Sequence, residues 1–274
     1  MNYIEVSINI PADNKFIADI LIAFLAEQGF DSFCEDNNIL SAYINEENFN
    51  KTEVELLMKE YNVDHFIKII PQQNWNAEWE KNFDPIIVEN QLTIKAPFHN
   101  QNFDTRFIIE IEPKMSFGTG HHATTYMMCH LMADYVFNES SVLDMGCGTG
   151  ILAIYAALKG AENIVAIDID EWAYENTIEN VQRNNIENIQ TIMGDVNFIP
   201  DRQFDYILAN INLNILKKDI PAYVEHMKKG SLLFLSGFFA SELPQINLIC
   251  KENNLCFIKS IEKENWTACV FNKI

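Results

Sequence analysis

Three glycines at 146, 148 and 150 follow the apolar run Val142-Leu-Asp-Met145 and precede Ile151-Leu-Ala-Ile-Tyr-Ala-Ala-Leu158. The pattern reads as a buried strand, a tight turn and a helix. Glycine suits such a turn because it takes positive φ and lets a ligand approach the backbone. A dinucleotide loop is spaced G-x-G-x-x-G and seats a pyrophosphate on the helix N-terminus. Here the spacing is G-x-G-x-G, and Ile151 stands where the dinucleotide pattern wants glycine. That favours a ligand with no phosphate to cradle. The alternative is a structural strand-to-helix turn that binds nothing.

Further polar residues fall where strands should end, the edge at which open α/β sheets bind ligands. Asp144 precedes the glycines, and Asp168 closes the apolar run Ile164-Val-Ala-Ile167 about twenty residues on. An acid there can accept hydrogen bonds from both hydroxyls of a ribose. Asp170 is better placed to cap the next helix. Asp195, after Ile189 to Met193, could meet the amino group of an adenine or simply cap a loop. Asn210 ends Phe204 to Ala209; its amide offers one acceptor and two donors, suited to an amine or to the amino-acid end of a cofactor. The alternative for Asn210 is an Asx turn. Gly146, Gly148 and Asp168 together favour S-adenosylmethionine as the cofactor.

Upstream, Gly118 and Gly120 mark a flexible loop. Thr124 and Thr125 open a helix expected to reach Phe137, whose N-terminus could hold a carboxylate. His121 and His122 are adjacent, and no Cys or acid completes a ligand set, so no metal site is assigned. No residue is assigned as a catalytic acid or base.

These residues need elements to position them. From Ile86 the chain is strand-rich, and from Ser141 strands and helices alternate, the signature of a parallel sheet. Strands are expected at Ile86 to Val88, Leu92 to Lys95, Phe107 to Ile111, Ser141 to Asp144, Ile164 to Ile167, Ile189 to Met193, Tyr206 to Ala209 and Leu232 to Leu235. A closing hairpin pairs Leu255 to Ile261 with Thr267 to Phe271. Residues 1–70 read β-α-β-β-α-β, the ferredoxin-like order. In that segment Asp13 caps a helix with Phe16, Ile17, Ile20, Leu21, Phe24 and Leu25 on one face. Gly29 ends that helix, Asp36-Asn-Asn38 makes a turn, and Thr52-Glu-Val-Glu55 is a capping box. Residues 71–85 form a linker helix whose Trp75, Trp79 and Phe83 share a face, either a stacking platform or a surface docked on a neighbouring domain. Residues 86–274 form the cofactor domain.

Composition narrows the partners. Nineteen basic against 39 acidic residues give a net charge of −20. Such a surface repels phosphate backbones and attracts basic proteins, so no direct nucleic-acid binding is expected. No apolar run reaches about 18 residues, and no membrane partner is expected. The six cysteines, at 34, 129, 147, 250, 256 and 269, form no C-x-x-C pair, which points to reduced thiols and a cytoplasmic location.

Phe117-Gly-Thr-Gly-His-His-Ala-Thr-Thr125, Asp144-Met-Gly-Cys-Gly-Thr-Gly-Ile-Leu-Ala153, Ile167-Asp-Ile-Asp170 and Ala209-Asn-Ile211 carry a resemblance, over nearly the whole chain, to a known family. It is the bacterial methyltransferase family that acts on large-subunit ribosomal protein eleven. Trp75-Asn-Ala-Glu-Trp-Glu-Lys-Asn-Phe83 resembles that family's linker helix. The resemblance implies a class I methyltransferase fold, with a mostly parallel seven-stranded sheet and a small leading ferredoxin-like domain. It implies S-adenosylmethionine as cofactor, with contacts at Thr125, Gly146, Asp168 and Asn210, and a basic ribosomal protein as substrate. The chain departs from the family where proline often follows the strand-end Asn; here the run is Asn210-Ile-Asn-Leu-Asn214. Rival readings are a nucleic-acid methyltransferase and a non-catalytic module that keeps the cofactor fold.

Overall fold

A computed structural model describes residues 2–11, 16–71, 83–114 and 118–274. The cap expected at Asp13 and the helix expected around Trp75 and Trp79 lie outside the described residues. Backbone contacts divide the chain into two compact units, Met1–Asn82 and Phe83–Ile274.

The first unit contains β1 (Tyr3–Asn9), α1 (Phe16–Glu27), β2 (Ser32–Asp36), β3 (Ile39–Asn45), α2 (Lys51–Glu60) and β4 (His65–Ile70). Its sheet runs β2-β3-β1-β4 with every neighbour antiparallel, which is the ferredoxin-like order. Alternation sends Ile4, Val6 and Ile8 of β1, and Leu40, Ala42 and Ile44 of β3, into one core. Asn37 and Asn38 both have positive φ, at 50° and 63°, as a two-residue hairpin turn of matching twist requires. Gly29, at φ 94°, lets Phe30 N–H reach Leu25 O at 3.0 Å and close α1.

Two expectations here are corrected. Asn50, not Thr52, caps α2: its side chain accepts from Glu53 N–H at 3.4 Å, and Thr52 lies inside the first turn. On α1 the buried residues are Ala18, Leu21 and Leu25, whereas Phe16, Ile20 and Phe24 are exposed. The apolar arc of α1 is wider than the strip that the sheet covers.

The second unit opens with a three-stranded sheet of β5 (Ile86–Val88), β6 (Leu92–Lys95) and β7 (Phe107–Glu110). Then come α3 (Ala123–Ala133), β8 (Ser141–Met145), α4 (Ile151–Leu158), β9 (Asn163–Asp168), α5 (Glu171–Arg183) and β10 (Ile189–Met193). β11 (Phe204–Asn210), α6 (Leu213–Glu225), β12 (Met227–Phe239), α7 (Leu243–Glu252), β13 (Leu255–Lys263) and β14 (Trp266–Lys273) complete it.

The seven strands are ordered β10-β9-β8-β11-β12-β14-β13, parallel from β10 to β12, with β14 antiparallel to both its neighbours. This is the class I methyltransferase sheet. Both faces are buried, so alternate residues join opposite cores: Val142, Ile164 and Leu208 on one side, Leu143, Val165 and Ile207 on the other. Strand order reverses at β8, which places a crevice beyond its carboxyl end.

Two lengths differ from expectation. α3 stops at Ala133, four residues short of Phe137, and is capped by His122, one residue before Ala123. β12 spans 13 residues rather than four because it continues, through an irregularity between Ser236 and Phe238, along β14.

Candidate active site

The glycine loop is built by its neighbours. Gly146, Gly148 and Gly150 all have positive φ, at 66°, 57° and 77°. The Gly146 and Cys147 N–H groups donate to Ile167 O, at 2.8 and 3.1 Å, and tie the loop to β9. From α5, Thr177 donates its hydroxyl to Gly148 O at 2.9 Å, and Asn180 its amide to Thr149 O at 3.0 Å. Gly150 caps α4 but has no side chain to offer. Asp144 takes that role from the strand: its Oδ2 accepts from Ala153 N–H at 3.0 Å. Asp144 is 1% exposed and its Oδ1 has no partner. Burial pushes its pKa up to about 7, opposed by the Ala153 N–H and assisted by the charge of Asp168.

Beyond the strand ends lies a cleft of about 750 Å³, and Thr125, Gly146, Gly148, Asp168, Asp195 and Asn210 all line it. Asp168 ends β9 and is fixed by two backbone donors, Gly148 N–H on Oδ2 at 2.8 Å and Asp170 N–H on Oδ1 at 3.0 Å. Each oxygen keeps a further lone pair for a ligand. Asp170 caps α5 as its sequence position implies, accepting from Ala173 N–H at 2.9 Å. Asp195 both lines the cleft and caps the short turn Val196–Phe198. Its Oδ1 accepts from Asn197 N–H and from the Asn197 amide, each at 3.0 Å. Asn210 donates to Thr125 Oγ1 at 3.4 Å, linking the end of β11 to the first turn of α3.

In the 118–122 loop both glycines stand against close neighbours. Gly118 O accepts the Thr149 hydroxyl at 2.7 Å, and a Cβ on Gly120 would come within 2.8 Å of Ile94. The paired histidines diverge. The His121 ring nitrogen lies 3.0 Å from Asp84 O, whereas His122 accepts from Thr124 N–H at 3.3 Å.

Several lining residues escaped the motif reading. The His122 ring stands edge-on to Trp266 at 4.9 Å, and Trp266 packs on Phe239 at 4.3 Å. His122 was legible only as a helix cap before Thr124. Trp266 comes from β14, remote in sequence, and carries no local signal. Gly237 shapes the site from β12: a Cβ there would lie 2.3 Å from Ile211 O, so only glycine lets β12 approach the segment after Asn210. Lys218, Asp219 and Tyr223 enter the cleft from α6.

The arrangement suits a cationic nucleoside. Met145, Ile167 and Ile211 give it apolar surface, Asp168 offers paired acceptors for a diol, and the only Lys or Arg among the described lining residues is Lys218. A pyrophosphate would find little positive charge here beyond backbone N–H groups.

Similarity to known proteins extends over nearly the whole chain. The family model described as ribosomal protein L11 methyltransferase (PrmA) matches residues 12–274. The chain is similar to the ribosomal protein L11 methyltransferase of Bacteroides thetaiotaomicron, at 39% identity over 278 residues and 99% of each chain. It is also similar to the protein of that name from Porphyromonas gingivalis, at 40% identity over 260 residues, covering 92% of this chain and 90% of that one. Among solved structures, the ribosomal protein L11 methylase of Lactobacillus delbrueckii subsp. bulgaricus superposes with a TM-score of 0.66 at 27% identity. That match covers 70% of this chain and 100% of the other. The chain therefore belongs to the ribosomal protein L11 methyltransferase family.

Proposed function

We propose that this protein transfers methyl groups from S-adenosylmethionine to amino groups of ribosomal protein L11, lysine side chains and/or the N-terminal α-amine. The observation that carries the reading is the convergence of Thr125, Gly146, Gly148, Asp168, Asp195 and Asn210 on one cleft, in a chain of this family.

In this reading Asp168 holds the ribose hydroxyls with the lone pairs left free by Gly148 and Asp170. Gly146 and Gly148 bring backbone against the amino-acid end of the donor. Thr125 and Asn210, joined to each other, face the transfer point, and Asp195 meets the base. When bound, S-adenosylmethionine supplies a methyl group made electrophilic by a positively charged sulfur.

The acceptor amine must arrive neutral. A free lysine has a pKa of about 10.4, but burial beside a positive charge disfavours its ammonium form. Asn210 Oδ1, which accepts no hydrogen bond from the described residues, can take an amine N–H and orient the lone pair. No side chain is needed as a base, and positioning supplies much of the rate.

Residues 1–70 form the unit that recognises the protein substrate, 71–85 join it to the rest, and 86–274 carry the transfer. The net charge of −20 favours a basic protein over nucleic acid. No described helix is long and apolar enough to cross a membrane. A basic ribosomal substrate places the work in the cytoplasm.

The test is incubation with labelled S-adenosylmethionine and purified ribosomal proteins and RNA, followed by mass spectrometry of the labelled species. The expected product is ribosomal protein L11 carrying methyl groups on amino nitrogens. Label on RNA alone, or on no ribosomal component, would overturn the reading.

A further inference from the structure

Helix α6 turns one row of side chains, Ile215, Asp219 and Tyr223, toward the cleft. They stand four residues apart and so share a face. Asp219 is only 7% exposed, and it forms no hydrogen bond or ion pair with any described residue. Tyr223 is fully buried, and its hydroxyl has no partner either. Nothing in the mechanism above uses these two groups.

A carboxylate placed so deep without a donor is costly, and burial raises the Asp219 pKa, opposed by Lys218 and assisted by the charge of Asp195. The helix Leu213–Glu225 packs against the turn Val196–Phe198 that Asp195 caps. This end of the cleft therefore lies beyond β10, whereas Thr125, His122 and Trp266 mark the opposite end, by β11 and β14. A nucleoside whose ribose rests on Asp168, at the end of β9, presents its base to Asp195 and α6.

Resting on the donor proposed above, we infer that Asp219 reads the amino edge of the donor's adenine base. The 6-amino group has two hydrogens, and Asp219 takes one while Asp195 takes the other. The Tyr223 hydroxyl is sealed from the cleft and does not reach the base. A carboxylate at this place complements the N–H donors of the amine. A base with a 6-oxo group presents an acceptor to Asp219 and leaves that carboxylate unmatched, the kind of mismatch that polar sites reject strongly.

The experiment is calorimetric titration of the full chain with S-adenosylhomocysteine and with S-inosylhomocysteine. The wild-type protein should prefer the adenosyl compound by about tenfold or more, as expected for a hydrogen bond to a charged group. Asp219→Asn should bring the two affinities within about threefold, because the amide no longer demands a donor.

Melting the ligand-free Asp219→Asn protein checks its fold; loss of an unpaired buried charge should leave Tm unchanged or raised. If that variant does not fold, Asp219→Ser is titrated in its place, and an unchanged preference overturns the inference. A folded Asp219→Asn protein that keeps the full preference, or weakens both ligands equally, also overturns it. A wild-type chain that binds neither compound removes the donor reading itself, and the inference with it. One that binds both equally leaves the donor reading standing and removes only the inference.

Discussion

The two units of this chain bury their sheets differently, and the difference governs how much of each can be understood from side chains. In Met1–Asn82 the sheet carries a single described core, and β1 alternates Ile4, Val6 and Ile8 with Glu5, Ser7 and Asn9. Polar residues recur at every second position, so none is conspicuous. In Phe83–Ile274 both faces of the long sheet are buried, and a strand such as Asn163–Asp168 is apolar from Ile164 to Ile167. A polar side chain is then tolerated mainly where the strand leaves the sheet. Asp168 and Asn210 stand at such ends, Asp195 lies just past one, and all three line one cleft. The second unit shows its chemistry at its edge, and the first shows mainly a surface.

The contrast can be broken at the glycine loop, where one added methyl group should disturb the cleft. Gly146 has φ of 66°, and a Cβ on it would stand 2.2 Å from Ile211 Cγ2. Gly146→Ala should therefore strain the loop by about 1–3 kcal/mol and displace Ile211. S-adenosylhomocysteine affinity should fall by more than about tenfold, while hydrogen exchange in β1 and β3 stays unchanged. Slower or faster exchange in those strands would show that the units are not independent.

Asp168→Ala sharpens the same contrast with an effect as large or larger. Two hydrogen bonds to a charged group are removed, and binding of S-adenosylhomocysteine should weaken by roughly 2–4 kcal/mol. An unchanged dissociation constant would show that the ribose lies elsewhere.

A further effect concerns pH. The pKa of Asp144 is raised from 3.8 to about 7 in the folded chain. The folded chain thus holds a proton that the unfolded chain has lost, and stability falls as pH rises from about 4 to about 7. Asp144→Asn keeps an acceptor for Ala153 N–H and cannot ionise. The melting temperature of the variant relative to wild type should rise between pH 5 and pH 8. A gap that stays constant over that interval would mean Asp144 does not titrate there.

Periodicity made much of the fold legible. The bounds of β5, β6 and β10 follow directly from their apolar runs, and the turns at Asn37-Asn38 and Glu264-Asn265 connect strands whose pairing is local. Tertiary context decided the rest. α1 was read with too broad a buried face, because an apolar arc does not say which part the sheet will cover. β12 exceeds its expected four residues because one strand passes through both Gly230 and Gly237. His122 was weighed against metal binding, when its role follows from standing one residue before α3. Trp266 and Asp219 had no local signature: one needs the antiparallel return of β14, the other needs the buried face of α6 to reach the cleft.

The division of labour between the units is the central claim, and it can be measured with two chains, the full protein and one starting at Gln72. Each unit has its own core, so the shorter chain keeps the sheet and every described residue of the cleft. Affinity for S-adenosylhomocysteine should stay within about twofold, while kcat/KM for ribosomal protein L11 should fall by at least about a hundredfold, because binding energy remote from the reacting amine is lost. A shorter chain that methylates ribosomal protein L11 as well as the full protein does would contradict the account.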